Sequence, residues 1–155
     1  MKINKVSKLS GVIAVPADKS ITHRAIMLSS LADGKSIINN FLPSEDCFST
    51  MNAFRNMGVE IEESKNTLTI KGLGINGLKA PKQDIYAGNS GTTTRLISGI
   101  LAGQNFSSII TGDDSLSKRP MKRVIEPLKL MGAYISAKDG NFLHMTINVK
   151  GILNP

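Results

Sequence analysis

Met57-Gly58-Val59-Glu60-Ile61 and Met131-Gly132-Ala133-Tyr134-Ile135 are two versions of one pattern, at an offset of 131 − 57 = 74 residues. Upstream, Arg24 and Arg95 extend the match at an offset of 95 − 24 = 71 residues, so the two copies differ by a short loop insertion. The recurrence indicates an internal repeat whose copies share a core and present equivalent ends on one face. Equivalent loops of both copies are therefore expected to face one site.

The first copy reads as alternating strands and helices. Its first helix is predicted to bury Ala25, Leu28, Leu31 and Ala32 and to end at Asp33-Gly34. Ser44 is the expected N-cap of the second helix, and Gly58 follows its end. The predicted elements are a strand at 12–15, a helix at 20–32, a strand at 37–38, a helix at 45–57, and a hairpin of 59–61 with 68–70.

The second copy repeats this order after a joint rich in glycine and proline at residues 72–82. A strand is predicted at 84–87 and an apolar helix from Gly91, while Pro127 implies a kinked or very short helix. Asp139-Gly140 predicts the hairpin turn before a strand at 143–149. Alternating strands and helices of this kind are typical of an α/β domain.

Composition narrows the class of protein and of partner. The chain has 155 residues, 41% of them hydrophobic, and a net charge of +7, with a pI near 9.7. These values fit one globular domain with an anionic partner. With no Trp, two Tyr and five Phe, the chain lacks the stacking platforms of single-strand nucleic-acid binders, so a small anion is favoured over a polymer. The single cysteine and the lack of a long apolar run predict a cytoplasmic protein that does not span a membrane.

Three stretches place cations at predicted helix starts, where the helix dipole disfavours them unless an anion binds. The first is residues 18–24, with Ser20 and Arg24 on one helix face and Lys19 beside them. The second is residues 88–95, a Gly/Thr-rich loop, and the third is residues 112–123, with Pro120 expected at the first helical position. Taken singly, solvated charges or a tight turn would explain each stretch. Together they favour one shared anion site.

Other candidate residues carry weaker signals. His144 lies in a strand pattern and is interpreted as structural, whereas His23 lies within the first stretch as a helper or as a capping or surface residue. Cys47 has no basic neighbour in sequence and is interpreted as buried or inert. No His, Cys and carboxylate spacing indicates a metal site, and no metal or organic cofactor is expected.

Three long motifs, in this order, resemble the signatures of the 5-enolpyruvylshikimate-3-phosphate synthase family: residues 16–25, 88–96 and 112–121. Ala17 stands where a glycine is usual and Thr22 where a serine is common, which affects only local loop geometry. The resemblance implies the enolpyruvyl transferase fold, an inside-out α/β barrel of six βαβαββ repeats, of which two are present. It also implies enolpyruvyl transfer from phosphoenolpyruvate to shikimate 3-phosphate, with release of phosphate and no cofactor.

The resemblance also assigns roles to residues. Lys19 would contact the phosphoenolpyruvate phosphate and the reacting hydroxyl, as the catalytic residue. Ser20 and Arg24 would hold the shikimate carboxylate, and Arg119 the phosphoenolpyruvate phosphate. Gly91 would line the phosphoenolpyruvate pocket and leave it sensitive to glyphosate. The implied substrate-binding set is Lys19, Ser20, Arg24, Asn89, Ser90, Gly91, Thr92 and Arg119.

The family pattern implies a division of the chain. Residues 1–13 would be a strand of the other domain, and residues 14–155 part of the substrate-binding domain, with repeat one at about 14–77 and repeat two at about 78–155. The second domain would be needed to close the site, so this chain alone is expected to be inactive. One alternative is a UDP-N-acetylglucosamine enolpyruvyl transferase-like enzyme, whose reactive loop cysteine is missing from residues 112–118. The others are a basic nucleic-acid-binding module and a structural or interaction fragment that binds no small ligand.

Overall fold

The computed structural model describes residues 4–148, which form five helices and seven strands. The helices are α1 (Lys19–Leu31), α2 (Glu45–Asn56), α3 (Gly91–Ala102), α4 (Asp114–Ser117) and α5 (Lys122–Leu130). The strands are β1 (Asp33–Asn39), β2 (Glu60–Ser64), β3 (Thr67–Leu73), β4 (Ile85–Tyr86), β5 (Ser108–Thr111), β6 (Tyr134–Lys138) and β7 (Phe142–Asn148). The α/β class is confirmed, and from α1 onward the predicted order of elements holds, with the short helix α4 in addition.

The two sheets show the repeat in their strand register. One sheet has the order β1-β3-β2 and the other β4-β5-β7-β6, with β4 and β5 parallel and all other pairs antiparallel. Ser36 lies opposite Ile70 in the first sheet, and Ser108 lies opposite Ile147 in the second. Each of these isoleucines lies opposite the isoleucine of the repeated Met-Gly pattern. The two hairpins and their neighbouring strands are therefore equivalent, as predicted.

Gly58 and Gly132 explain why Met-Gly recurs. They follow α2 and α5 with φ of +94° and +100°, a backbone region that residues with a β-carbon rarely adopt. The chain turns there from each helix into the following hairpin. Lys65 and Asp139 also have positive φ, at the two predicted hairpin turns.

The proposed match of Arg24 with Arg95 is wrong by one residue. The N-caps of α1 and α3 are Asp18 and Ser90, at an offset of 90 − 18 = 72. Because Arg24 is the sixth residue of α1 and Arg95 the fifth of α3, Arg95 takes the place of His23 and the two arginines point about 100° apart around their helix axes. Sequence similarity matched the charge, whereas the caps fix the true register.

The strand predicted at residues 12–15 is absent. Residues 8–18 have no regular structure, and Val12, Ile13 and Val15 are exposed. At the repeat offset of 72 residues, Ile13 corresponds to Ile85 in β4, which pairs with β5. A lone extended segment needs a neighbouring strand for its backbone hydrogen bonds, and no described strand lies beside this one. The assignment of residues 1–13 to another domain stays a prediction.

The face that α1 buries also differs from the prediction. Leu28 is 68% exposed, whereas α1 buries Ile26, Met27 and three polar residues, Thr22, His23 and Ser30. Hydrophobic periodicity missed this face because its polar side chains form hydrogen bonds inside the protein, although Nε2 of His23 has no partner among the described residues. The helix ends at Ala32, and Asp33-Gly34 begins β1 instead of capping α1.

Two prolines were expected to shape α5, and the structure places one outside the helix and one inside it. Pro120 precedes Met121, the N-cap of α5, and so lies outside the helix. The first helical residue is Lys122, whose backbone N–H donates to Oδ1 of Asn141. Pro127 lies inside α5, which has nine residues and continues for three residues beyond the proline.

One continuous core spans both repeats and includes Phe54, Ile97 and Ile110. Residues 74–84 connect β3 to β4, so the predicted joint at 72–82 begins two residues too early, inside β3. The second repeat is described only as far as residue 148, so Val149 of the predicted last strand lies outside the described residues. Among residues 4–148, no helix combines the length and apolar character that crossing a bilayer requires.

Candidate functional site

The amino end of α1 presents three candidate residues to solvent. Lys19, Ser20 and Arg24 are exposed, and Lys19 forms an ion pair with Asp46 near the start of α2. Arg24 Nη1 donates to the main-chain oxygen of Ser20 at 3.1 Å, which holds both residues on one helix face. Oδ1 of Asp18 caps the helix by accepting from the N–H of Ile21 at 2.7 Å. The α1 end therefore offers two cations and free N–H groups to an anion.

The amino end of α3 is more enclosed. Ser90 caps α3 by accepting from the N–H of Thr93 at 3.1 Å, and Gly91, the first helical residue, is buried. A β-carbon on Gly91 would lie 3.0 Å from Nη1 of Arg95 and 3.6 Å from Nη1 of Arg119. Two guanidinium groups therefore lie beside this helix end, which suits an anion with several oxygen atoms.

Arg119 is held in place by the loop before α3. Its Nη2 donates to Oδ1 of Asn89, and its Nη1 donates to the main-chain oxygen of Asn89 at 3.3 Å. The side-chain amide of Asn89 donates to Oδ2 of Asp113 at 2.8 Å. Donation from the N–H of Leu116, and then from Asn89, lowers the pKa of the Asp113 carboxyl, so Asp113 is a stable anionic acceptor.

Arg119, in the third cationic stretch, does not lie at the start of a helix as predicted. The four-residue α4 begins with Asp114, Lys118 is its C-cap, and Arg119 follows. Cations are favourable at the carboxyl end of a helix, so the dipole argument does not apply to this arginine. Arg119 instead reaches the α3 loop through the contacts with Asn89 described above.

Asp46 brings the α1 and α3 ends together. Its carboxylate pairs with Lys19, and its main-chain oxygen lies 3.2 Å from Oγ1 of Thr93, in the first turn of α3. Asn89 links the same α3 loop to Arg119. The three motifs, far apart in sequence, therefore form one continuous group, as the repeat predicted.

A buried set of polar side chains below these helix ends was missed by sequence reasoning. Thr93 Oγ1 lies 2.7 Å from both Ser90 Oγ and Thr50 Oγ1, and Thr50 Oγ1 lies 2.7 Å from Nδ1 of His23. All four side chains are fully buried. The only signal in the sequence was the number of threonines in residues 92–94, which hydrophobicity patterns do not interpret.

Burial explains the state of His23 and Cys47. Burial lowers the pKa of His23; the carboxylate of Asp46 opposes this shift, while Lys19 and Arg24 reinforce it. Cys47 is buried, and burial raises the pKa of its thiol, so the prediction of a buried or inert cysteine is confirmed. His144 lies in β7 with its side chain exposed.

Comparison with known proteins decides the family. The model of the EPSP synthase (3-phosphoshikimate 1-carboxyvinyltransferase) family matches residues 3–153. The chain belongs to the EPSP synthase family. A 3-phosphoshikimate 1-carboxyvinyltransferase of Endomicrobium trichonymphae is 62% identical over 142 residues, and that of Bacillus subtilis (strain 168) is 51% identical over 156 residues.

A solved structure of an EPSP synthase supports the same family at the level of the fold. The protein from Acinetobacter baumannii superposes with a TM-score of 0.85 at 48% identity, over 89% of this chain and 32% of that one. The chain covers 33% of the Endomicrobium relative and 36% of the Bacillus relative, while 90% and 98% of its own residues align. It thus spans about a third of the length of these EPSP synthases.

Within this EPSP synthase fold, the predicted site residues differ in accessibility. Lys19, Ser20, Arg24 and Asn89 are exposed, and Arg119 and Thr92 are half-buried. Gly91 and Ser90 are buried, and the Ser90 hydroxyl oxygen is hydrogen-bonded to the N–H and the hydroxyl of Thr93. Arg95, absent from the predicted set, lies beside Gly91, and its Nε is buried without a partner in the described chain.

Proposed function

We propose that this chain supplies part of the substrate site of an enzyme that transfers the enolpyruvyl group of phosphoenolpyruvate to the 5-hydroxyl of shikimate 3-phosphate. This is a step of the shikimate pathway, which leads to aromatic amino acids. The observation that carries the proposal is the double contact of Asp46, with Lys19 on one side and with Thr93 at the start of α3 on the other. It makes the α1 and α3 ends neighbours, as two reacting anions require.

The α1 end is proposed to bind shikimate 3-phosphate. A carboxylate accepts well from a guanidinium, and Arg24 is exposed beside Ser20 on the same helix face. Ser20 adds a hydroxyl and a free N–H of the first helical turn. Lys19 is proposed to contact both the reacting 5-hydroxyl and the phosphate of the second substrate, because it is paired with Asp46, whose main-chain oxygen also contacts Thr93 of α3.

The α3 end is proposed to bind phosphoenolpyruvate. Arg119 would hold the phosphate, with its guanidinium kept in place by Asn89. Gly91 would allow the ligand to approach the backbone, and Thr92 is partly exposed beside it. Since the Ser90 hydroxyl is buried as the cap, Ser90 would contribute through its backbone and through the position of the loop.

The chemistry that these residues perform is mainly electrostatic. Two substrates that carry several negative charges repel each other, and fixed cations together with helix dipoles offset that repulsion when both are bound. Phosphate leaves during the reaction, and Arg119 and Lys19 would stabilise the charge that develops on it. No step in this account depends on a metal or an organic cofactor.

Turnover is proposed to need more than this chain. The chain spans about a third of its relatives' length, and the resemblance assigns further carboxylates and basic residues to the second domain. The purified chain is therefore expected to release no phosphate from the two substrates together. A phosphate release that Lys19→Ala abolishes would contradict this expectation.

Calorimetric titration of shikimate 3-phosphate into the chain tests the proposed half-site. Arg24→Ala is expected to weaken binding by tenfold or more, because a charge-assisted hydrogen bond contributes about 1.5–3 kcal/mol. The matched control is Lys35→Ala, which removes one positive charge from an exposed position in β1. Equal losses in both variants would indicate attraction by net charge alone, and the specific site would be rejected.

Competitors distinguish two of the alternatives. Duplex DNA that displaces the ligand in a salt-sensitive manner would favour a nucleic-acid-binding module. UDP-N-acetylglucosamine that binds with higher affinity than shikimate 3-phosphate would favour the sibling enolpyruvyl transferase. Membership of the EPSP synthase family supports the expectation that neither competes.

A further inference from the structure

A chain of hydrogen-bonded side chains passes through the three helices below the candidate site. It runs from His23 in α1 through Thr50 in α2 to Thr93 in α3 and ends at the N-cap Ser90, with every step at 2.7 Å. All four side chains are fully buried. None of them has an assigned role in the reaction proposed above, except that Ser90 belongs to the loop that would face phosphoenolpyruvate.

The contacts allow donation in one continuous direction. When the proton of neutral His23 is on Nδ1, Nδ1 donates to Thr50, Thr50 donates to Thr93, and Thr93 donates to Ser90. Thr50 and Thr93 then each donate once and accept once, and Ser90 accepts from Thr93. Hydrogen bonds fix separation and direction, unlike the apolar contacts that otherwise join these helices. The direction of each proton is assigned from the contacts, since a His ring has two neutral tautomers.

Both ends of this hydrogen-bonded chain adjoin candidate ligand residues. His23 is next to Arg24 and one helical turn after Lys19, so it shares a face of α1 with Lys19. Ser90 is next to Gly91, and Oγ1 of Thr93 also lies 3.2 Å from the main-chain oxygen of Asp46, the residue that pairs with Lys19. A shift of one end would therefore be transmitted to the other.

We propose that His23, Thr50 and Thr93 are positioning residues that fix the amino end of α1 against that of α3. The proposal rests on the proposed function, because the distance between the two helix ends matters only if two anionic substrates bind side by side at them. These residues touch no substrate and act through Lys19, Arg24 and the α3 loop. Their hydroxyls, not their volumes, carry the effect.

The test compares Thr93→Val, which keeps the shape of the side chain and removes its hydroxyl, with Thr93→Ser, which keeps the hydroxyl. The matched control is Ser98→Ala: Ser98 is fully buried in α3, and its hydroxyl donates only within its own helix, to the main-chain oxygen of Thr94 at 2.6 Å. Calorimetry measures the affinity for shikimate 3-phosphate, whose proposed contacts lie in α1. Thr93→Val should weaken it roughly threefold to tenfold, while Thr93→Ser and Ser98→Ala should bind like the parent chain.

Nuclear magnetic resonance supplies a second readout that needs no ligand. Thr93→Val should shift the backbone amide signals of α1 residues 20–24 and the ring-nitrogen signals of His23, whereas Ser98→Ala should leave both unchanged. If the parent chain binds no shikimate 3-phosphate, the proposed half-site has failed, and these signals still decide the positioning role. Unchanged α1 and His23 signals in folded Thr93→Val would overturn it.

Thr50→Val provides the same test if Thr93→Val does not fold, because it breaks the hydrogen-bonded chain one step closer to His23. The parent chain also decides the question by itself. A His23 ring that titrates like a solvent-exposed imidazole would overturn the proposal, since such a ring could not be the fixed end of a buried hydrogen-bonded chain. A single neutral tautomer that persists below pH 6.5 is the expected result.

Discussion

Nη1 of Arg95 lies 3.0 Å from the point where a β-carbon on Gly91 would be, and Nη1 of Arg119 lies 3.6 Å from the same point. The φ of Gly91 is not positive, so the backbone alone would accept another residue there. Space and charge are what glycine preserves at this position: it lets two guanidinium groups approach the first turn of α3. The neighbouring Nε of Arg95 is buried without a hydrogen-bond partner among the described residues.

Gly91→Ala is expected to leave the fold intact and weaken binding of phosphoenolpyruvate. The new methyl group meets the far end of a flexible arginine, which can move, so the change in unfolding free energy should be below about 1 kcal/mol. Displacing a guanidinium from the anion loses about 1.5–3 kcal/mol, or roughly tenfold or more in affinity. Calorimetry with phosphoenolpyruvate and with shikimate 3-phosphate should show the loss for the first ligand alone.

Gly99→Ala is the matched control for that substitution. Gly99 lies in the same helix, is exposed, and has nothing within 4 Å of its would-be β-carbon. The change should raise stability by about 0.5–1 kcal/mol, because alanine favours the helix interior, and should not alter either affinity. Equal ligand affinities for Gly91→Ala and Gly99→Ala would remove Gly91 from the proposed pocket.

The order of elements could be predicted because turn residues and caps act locally. Ser44 caps α2 as expected, and Lys65 and Asp139 adopt the positive φ of the two hairpin turns. The strand at residues 12–15 could not be judged in this way. Its residues have the composition of a strand, yet a strand exists only where a neighbour supplies hydrogen bonds, and composition does not reveal the neighbour.

The site was predicted in part for a related reason. Charged residues at helix starts are visible in a sequence, so Lys19, Arg24 and the α3 loop were found together. Thr50 and Thr93 were not, because a buried threonine is recognised only when its hydrogen-bond partner, 43 residues away, is known. Arg95 was noted only as the repeat equivalent of Arg24. Because that match is wrong by one residue, the sequence did not predict that Arg95 lies beside Gly91.

Asn89 is expected to act on phosphoenolpyruvate only through Arg119. Asn89→Ala removes the acceptor of one guanidinium nitrogen and frees the side chain of Arg119 to reorient. The affinity for phosphoenolpyruvate should fall severalfold, by less than in Arg119→Ala. A double-mutant cycle measured by calorimetry tests this dependence.

The cycle has one informative pattern. If Asn89 works by holding Arg119, the double variant Asn89→Ala/Arg119→Ala should bind no more weakly than Arg119→Ala by itself. Losses that add fully would show that Asn89 contacts the ligand independently. If Asn89→Ala is also less stable, the cause would be Asp113, whose carboxylate loses the hydrogen bond that the Asn89 amide donates.

His23 should make the chain less stable in acid. Burial lowers the pKa of His23 below its ordinary value of 6.5 in the folded state, so the unfolded chain binds the proton more readily. The stability contributed by neutral His23 is complete above pH 6.5 and falls as the pH drops toward the folded pKa, by at most about 1.4 kcal/mol per pH unit. Chemical denaturation at pH 7.5 and pH 5 measures the loss.

His23→Gln separates this effect from the titration of carboxylates. The variant has no imidazole, so its stability should change less between the two pH values than that of the parent chain, even if it is less stable at both. The comparison uses the difference between pH values, which the lost hydrogen bond to Thr50 does not affect. Identical pH dependence in the two proteins would show that His23 has an ordinary pKa when folded.

Cys47 should be protected from thiol reagents until the chain opens. The residue is fully buried in α2, and burial raises the pKa of its thiol above 9.0, so little thiolate is present at pH 8. Reaction with Ellman's reagent in the folded chain should be at least on the order of a hundredfold slower than in concentrated guanidinium chloride, because local opening must come first. Cys47→Ser gives the blank. Rapid reaction of the folded chain would mean that the start of α2, which carries Asp46 and pairs with Lys19, opens readily, and the joined α1 and α3 ends would then lack a rigid support.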